Sequence, residues 1–217
     1  MKNINILFDL DGTLIDSTTA ILESFEVAYS NMKMIKPNDE DIKSQIGYPL
    51  DDMFRSLGVD ESSVDKFVYH YKMHYREINQ QKTTLLPKAK ETLEMAYKIG
   101  NLAVVTTKTS KYSIELLKHL EIYHYFDVFI GRDDVDNPKP HKEPILKALN
   151  KMGNNYTSWM IGDTCLDMIS ASSANINSIG VTCGYGSLEK LQSCTNIIKD
   201  SAFEAVEEIL LHISNNK

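Results

Sequence analysis

Residues 8–17 read Phe8-Asp-Leu-Asp-Gly-Thr-Leu-Ile-Asp-Ser17 and follow directly on the apolar run of residues 4–8. Side chains at i, i+2 and i+4 of a strand share a face, so Asp9, Asp11 and Thr13 converge where such a strand ends. Gly12 permits the tight bend that brings backbone N–H groups towards an anion. A carboxylate is a poor base for water, yet it attacks a phosphoryl group when a cation screens the repulsion between the two anions. The second carboxylate then shuttles the proton. The same residue types also make ordinary turns, so the reading depends on what the rest of the chain supplies.

Working outward, short β-branched or aromatic runs recur at 102–106, 127–130, 159–161 and 178–182, separated by helical patterns such as 112–120, 143–152 and 166–174. Strands alternating with helices long enough for crossovers predict a parallel α/β sheet. In such a sheet ligands lie beyond the carboxyl ends of the strands, where Asp9, Thr106 and Asp163 all fall. Between 16 and 87 the alternation stops, and 20–32, 50–57 and 64–78 carry apolar residues at helical spacing. This predicts an inserted helical domain, punctuated by Pro37 and Gly47.

The Asp-x-Asp-Gly-Thr run after an apolar strand resembles the first signature of the haloacid dehalogenase superfamily, whose hydrolases use an aspartate nucleophile. Three further segments are similar to its other signatures, in the same order. The strand ending Thr106-Thr-Lys108 looks like the second, Asn137-Pro-Lys-Pro-His141 like the third, and Met160-Ile-Gly-Asp-Thr-Cys-Leu-Asp-Met168 like the fourth. The resemblance spans nearly the whole chain. It implies a Rossmann-like core (1–15 and 87–217) with helices on both faces, and a helical cap over 16–86.

The resemblance also implies roles. Asp9 is the nucleophile and Asp11 the general acid and base. Gly12, Thr106, Thr107 and Lys139 would hold the phosphoryl oxygens. Asp9, the Asp11 carbonyl and Asp163 would bind Mg2+, an ion that takes oxygen ligands and keeps waters, with Asp167 orienting a metal water or Lys139. In the insertion, Gly47 is the expected close approach to substrate and Arg55 the partner of a second anionic group.

Sister chemistries fit less well. Dehalogenases and phosphonatases of the superfamily lack the second aspartate present here as Asp11, and its mutases often carry Glu-Asp where this chain has Gly162-Asp163. The implied reaction is hydrolysis of a small phosphorylated metabolite. The segment 180–187 is similar to phosphoglycolate phosphatases; 105–108 and 142–149 are as similar to bacillary pyrophosphatases. A catalytically dead binding module is the reading from outside enzymes.

Two departures from the family pattern concern the backbone: Asn175 stands where glycine usually ends a helix, and Pro87-Lys88 stands where Pro-Gly is usual.

Composition narrows the partners. Lys and Arg total 23 against 30 Asp and Glu, a net charge of −7 with no basic stripe, which argues against nucleic acid. No apolar stretch reaches the roughly 18 residues of a membrane span. The expected protein is cytoplasmic, a monomer or homodimer. Its three cysteines, Cys165, Cys183 and Cys194, are odd in number and lack CxxC spacing, so they are expected to be reduced, with neither disulfide nor zinc.

Overall fold

The computed structural model describes residues 4–153 and 156–215. In chain order the elements are β1 (Ile4–Phe8), β2 (Ile15–Asp16), α1 (Thr18–Asn31), α2 (Asp39–Lys43), α3 (Leu50–Ser56), α4 (Glu61–Lys82), β3 (Thr84–Leu85), α5 (Ala89–Ile99), β4 (Asn101–Val105), α6 (Ser110–His119), β5 (Val128–Ile130), α7 (Glu143–Met152), β6 (Thr157–Gly162), α8 (Cys165–Ser173), β7 (Asn177–Val181), α9 (Leu188–Gln192), β8 (Ile198–Lys199) and α10 (Ala202–Asn215).

Six strands form one parallel sheet in the order β5-β4-β1-β6-β7-β8. All five residues of β1 are buried, as a central parallel strand covered on both faces requires. Alternate residues divide between two layers. Ile6 and Phe8 pack with Leu93 and Ala96 of α5, Leu116 and Leu117 of α6, and Val206 and Ile209 of α10. On the other face Leu7 packs with Ile145, Ala148 and Leu149 of α7 and Ala171 of α8. The expected α/β core with helices on both faces is therefore present, and β8 adds a sixth strand that two residues could not announce.

Helices α1 to α4 bury a cluster of their own, dominated by rings. Phe25 lies 4.7 Å from Phe54, Tyr29 4.9 Å from Phe67, and Phe54 5.3 Å from Phe67. Where the chain leaves and re-enters the core, β2 and β3 pair antiparallel, Ile15 opposite Leu85 and Asp16 opposite Thr84. This clasp joins segments far apart in sequence, which is why local patterns gave no sign of it.

Both backbone departures take the conformation glycine would have taken. Asn175 has φ 57° and Lys88 φ 60°, the left-handed region in which asparagine is well tolerated and lysine is not. The cysteines correct an expectation. Cys165, opening α8, and Cys194, following α9, are disulfide-bonded with Cα atoms 5.8 Å apart. Only the fold brings together two residues separated by 29 positions; Cys183 is the free thiol. Among the described residues no helix is long and apolar enough to cross a membrane.

Candidate active site

Three adjacent strands end at one place. The N–H of Asp9 donates to the Ile161 carbonyl (2.9 Å) and that of Thr106 to the Ile130 carbonyl (3.0 Å), so the ladder carries each residue just past its strand. Asp163 follows β6 directly. The result is a buried cluster in which carboxylate oxygens of Asp9, Asp163 and Asp167 lie within 4.8 Å of one another.

Lys139 is the cation of that cluster. It is 3% exposed, with Nζ 2.8 Å from Asp9 Oδ1 and 2.5 Å from Asp167 Oδ1. The second Asp167 oxygen accepts from the Thr164 N–H (3.2 Å) and hydroxyl (2.8 Å), fastening the start of α8. With both oxygens occupied, Asp167 is suited to holding Lys139 in place. Asp163 accepts from the Tyr185 N–H (2.7 Å) and, more loosely, from the Thr13 hydroxyl (3.4 Å).

Charge in this pocket is only partly balanced. Burial pushes the Asp9 carboxyl up to about 7; Lys139 opposes this and Asp167 adds to it. Burial, then Asp9 and Asp167, raise Asp163 well above the usual carboxylate range. Burial alone would lower Lys139, yet Asp167 and Asp9 outweigh it and hold the ammonium above its ordinary value. Buried carboxylates in excess of cations are a donor set for a hard cation. Among the described residues nothing donates to the Asp11 carbonyl, which leaves it available as a further oxygen.

The Asp11 side chain is held by a different lysine. Its Oδ1 accepts from Lys108 Nζ at 2.8 Å and from the Ser17 hydroxyl. Burial would depress the Lys108 ammonium, but Asp11 reverses the sign and keeps it above its ordinary value. The sequence reading assigned no role to Lys108 or Ser17. The available signal for Lys108 was its place two residues after Thr106, in the same segment that resembles the second signature.

Other expected residues fare differently. The Thr106 hydroxyl accepts from the Lys108 N–H at 3.2 Å, leaving its own proton to donate. Thr107 donates its hydroxyl to the Gly47 carbonyl at 2.9 Å, a direct bond between the core and the helical insertion; Gly47 has φ 111°.

Two expected residues are engaged by neighbours. The Gly12 N–H is spent on the Ile15 carbonyl (2.9 Å), so it is no anion donor. Gly12 is needed for space instead: it has φ 77°, and a Cβ there would sit 2.4 Å from Asp163 Oδ2. Arg55, expected to meet a second anionic group, donates to Glu61 through Nε (2.7 Å) and Nη2 (2.9 Å), and through Nη1 to Asp51 and Asp52 (2.8 Å each). Three local carboxylates capture it because they lie three to six residues away, within reach of one long side chain.

Beside Asp11, Thr107 and Lys108 opens a cavity of about 400 Å³, walled on the far side by α4 and by the segment around Gly47. A nucleophile-sized carboxylate, a fixed ammonium, a second carboxylate under its own lysine and a cavity beyond it are the parts of a group-transfer site.

The comparisons with known proteins agree with this arrangement. Residues 6–181 match the family model described as haloacid dehalogenase-like hydrolase. The chain is 33% identical over 209 residues to the protein named "Probable phosphatase IndB" of Dickeya dadantii, covering 93% of this chain and 91% of that one. It is also 33% identical over 187 residues to pyrophosphatase PpaX of Halalkalibacterium halodurans, covering 85% of each. A solved structure titled as a "predicted phosphoglycolate phosphatase" from Haemophilus somnus superposes with a TM-score of 0.86 at 26% identity, covering 96% of this chain and 99% of that one. Strand-end aspartates, buried lysine, sheet order and family match converge, and the chain belongs to the haloacid dehalogenase-like hydrolases.

Proposed function

We propose that the protein is a magnesium-dependent phosphatase that hydrolyses a small phosphate ester through an aspartyl-phosphate intermediate. The observation that carries the reading is the placement of Asp9 at the end of the central strand, 2.8 Å from the buried Lys139, with Asp11 held separately by Lys108. In this reading an Asp9 carboxylate oxygen forms a bond to phosphorus as the bond to the leaving oxygen breaks, and Asp11 gives that oxygen its proton. Asp11 then takes a proton from water, which attacks the same phosphorus and returns Asp9 as a carboxylate. The Thr106 hydroxyl, the Thr107 N–H and Lys139 would hold the phosphoryl oxygens.

Asp9, Asp163 and the Asp11 carbonyl would hold Mg2+; the all-oxygen donor set suits it better than zinc. When bound, the cation supplies the charge neutralisation that lets one anion approach another. We read 16–86 as a cap domain closing over the site, on the support of its separate aromatic cluster and the Thr107–Gly47 bond. The cytoplasm, where small phosphorylated metabolites are found, is the compartment that fits this reading.

Phosphoglycolate and similar monoesters are the lead substrates, and the likeness to PpaX makes inorganic pyrophosphate the second reading. The test is phosphate release with Mg2+ from 2-phosphoglycolate, pyrophosphate, sugar phosphates and nucleotides, with Asp9→Asn as control. Asp9→Asn is expected to abolish turnover with the fold retained. A variant that turns over at the wild-type rate overturns the assignment of the nucleophile.

A further inference from the structure

The Cys165–Cys194 disulfide stands beside the carboxylate cluster rather than in a remote loop. Cys165 follows Asp163 by two residues and is the first residue of α8; Cys194 follows the end of α9 by two. Both are half-buried, so an external sulfur can reach the bond. In the compartment proposed above disulfides are rare, and where present they are usually transient, catalytic or redox-sensing. A bond with that position and that exposure calls for a reversible role.

What the bond restrains is the segment 182–187 between β7 and α9, which lies directly on Asp163. The Tyr185 N–H donates to Asp163 Oδ2 at 2.7 Å. The backbone on either side is as close: a Cβ at Gly184 would sit 2.1 Å from Asp163 Oδ2, and one at Gly186 1.9 Å from the Asp163 carbonyl oxygen. The Tyr185 hydroxyl lies 3.0 Å from that of Thr18 in α1. Upstream the segment is fixed to the sheet, where the Thr182 N–H donates to the Lys199 carbonyl (3.0 Å). Downstream it runs into α9, five residues of which only Leu191 is buried, and so short a helix is marginal without tertiary support. The disulfide supplies that support, tying the residues after α9 to the segment that carries Asp163.

We propose that Cys165–Cys194 is a reversible thiol–disulfide modification site whose substrate is a dithiol, and that closing the bond holds segment 182–187 against Asp163 and so tightens the metal site. A thiolate of the dithiol attacks one sulfur and releases the other cysteine. Its second thiol then displaces the first cysteine, leaving two cysteine thiols and an oxidised dithiol, a transfer of two electrons and two protons to the chain. The inference rests on the reading of Asp163 as a metal ligand, not on the choice of ester.

The experiment compares the chain after oxidised glutathione with the chain after dithiothreitol, each desalted without air. Alkylation of the unfolded chain with iodoacetamide, read by mass, is expected to add one group in the first state and three in the second, from the free Cys183 and then all three cysteines. Reduction is expected to raise about tenfold the Mg2+ concentration giving half the maximal rise in Tm, as loss of support around a metal ligand does. The Mg2+ requirement for 4-nitrophenyl phosphate hydrolysis should rise in step. By linkage, saturating Mg2+ should favour the closed bond by the same factor. Cys165→Ser and Cys194→Ser should each behave as the reduced chain and ignore dithiothreitol. A lower Tm with an unchanged Mg2+ midpoint makes the bond a structural staple and overturns the inference, as do three alkylated cysteines after oxidised glutathione or variants that still respond to dithiothreitol. No Mg2+ effect on Tm in either state overturns the metal reading and this inference with it. A Mg2+ midpoint that follows the thiol state without phosphate release from any ester overturns the phosphatase reading and leaves this site standing.

Discussion

Gly162→Ala probes the site without touching a titratable group. A Cβ at 162 would stand 2.3 Å from Asp167 Cγ and 2.5 Å from its Cβ and Oδ2, where ordinary contact begins at 3.4 Å. Asp167 must therefore retreat by about 1 Å, an overpacking that costs about 1–3 kcal/mol. Its 2.5 Å bond to Lys139 and its two bonds to Thr164 are lost or stretched together. A displacement of about 1 Å in supporting groups can lower a rate by about a hundredfold. We expect kcat for 4-nitrophenyl phosphate to fall by about that factor, and Tm to drop by about 2–4 °C per kcal/mol in a chain of this size. A Gly162→Ala enzyme within about twofold of wild type would refute the view that Asp167 acts by fixing Lys139. The same contact explains why glutamate, frequent at this position in the superfamily's mutases, has no room beside Asp167 here.

Three other outcomes follow from the geometry. Lys139→Met leaves Asp9 and Asp167 buried without their shared cation and is expected to cost about 3–5 kcal/mol in urea unfolding, with part of that recovered in the Lys139→Met/Asp167→Asn double variant; no recovery would count against the ion pair as the cause. Lys108→Met frees Asp11, so kcat should fall further for alkyl phosphates, whose leaving oxygen needs a proton, than for 4-nitrophenyl phosphate; equal losses would remove Lys108 from the positioning of Asp11. For Asp9 the folded pKa of about 7 exceeds the unfolded 3.8, so the folded chain holds the proton more tightly. Metal-free stability should then fall as pH rises from about 3.8 to about 7 and level off above. Mg2+ should raise Tm more at pH 8 than at pH 5, and equal shifts would sink this account of the carboxylate cluster.

Much of the fold was legible because it is written in local periodicity. Five strands and three of the four helices described in the insertion come from runs of two- and 3.6-residue spacing, which each segment carries regardless of its neighbours; the five-residue α2 is too short to show one. The β2–β3 clasp and β8 escaped because two-residue strands have no period to detect; pairing partners define them. Among site residues, Asp9, Lys139, Asp163 and Asp167 meet because strand ends and a crossover loop converge beyond the carboxyl ends of the central strands. Arg55 and Gly12 show what a motif leaves out: it names residue types, while the free donors left on them depend on neighbours that have already taken hydrogen bonds.

By itself, the sequence determined the order of five strands and of the helical patterns between most of them, the helical stretch after the first strand, and the carboxylates and lysine that stand in its motifs, since these are properties of short segments. Tertiary structure decided which group each residue serves. It set Lys108 on Asp11, gave the Gly12 N–H to Ile15, turned Arg55 to three carboxylates and joined Cys165 to Cys194. Each of these is a matter of distances of a few ångströms between side chains and backbone, and such distances exist only once the layers have packed.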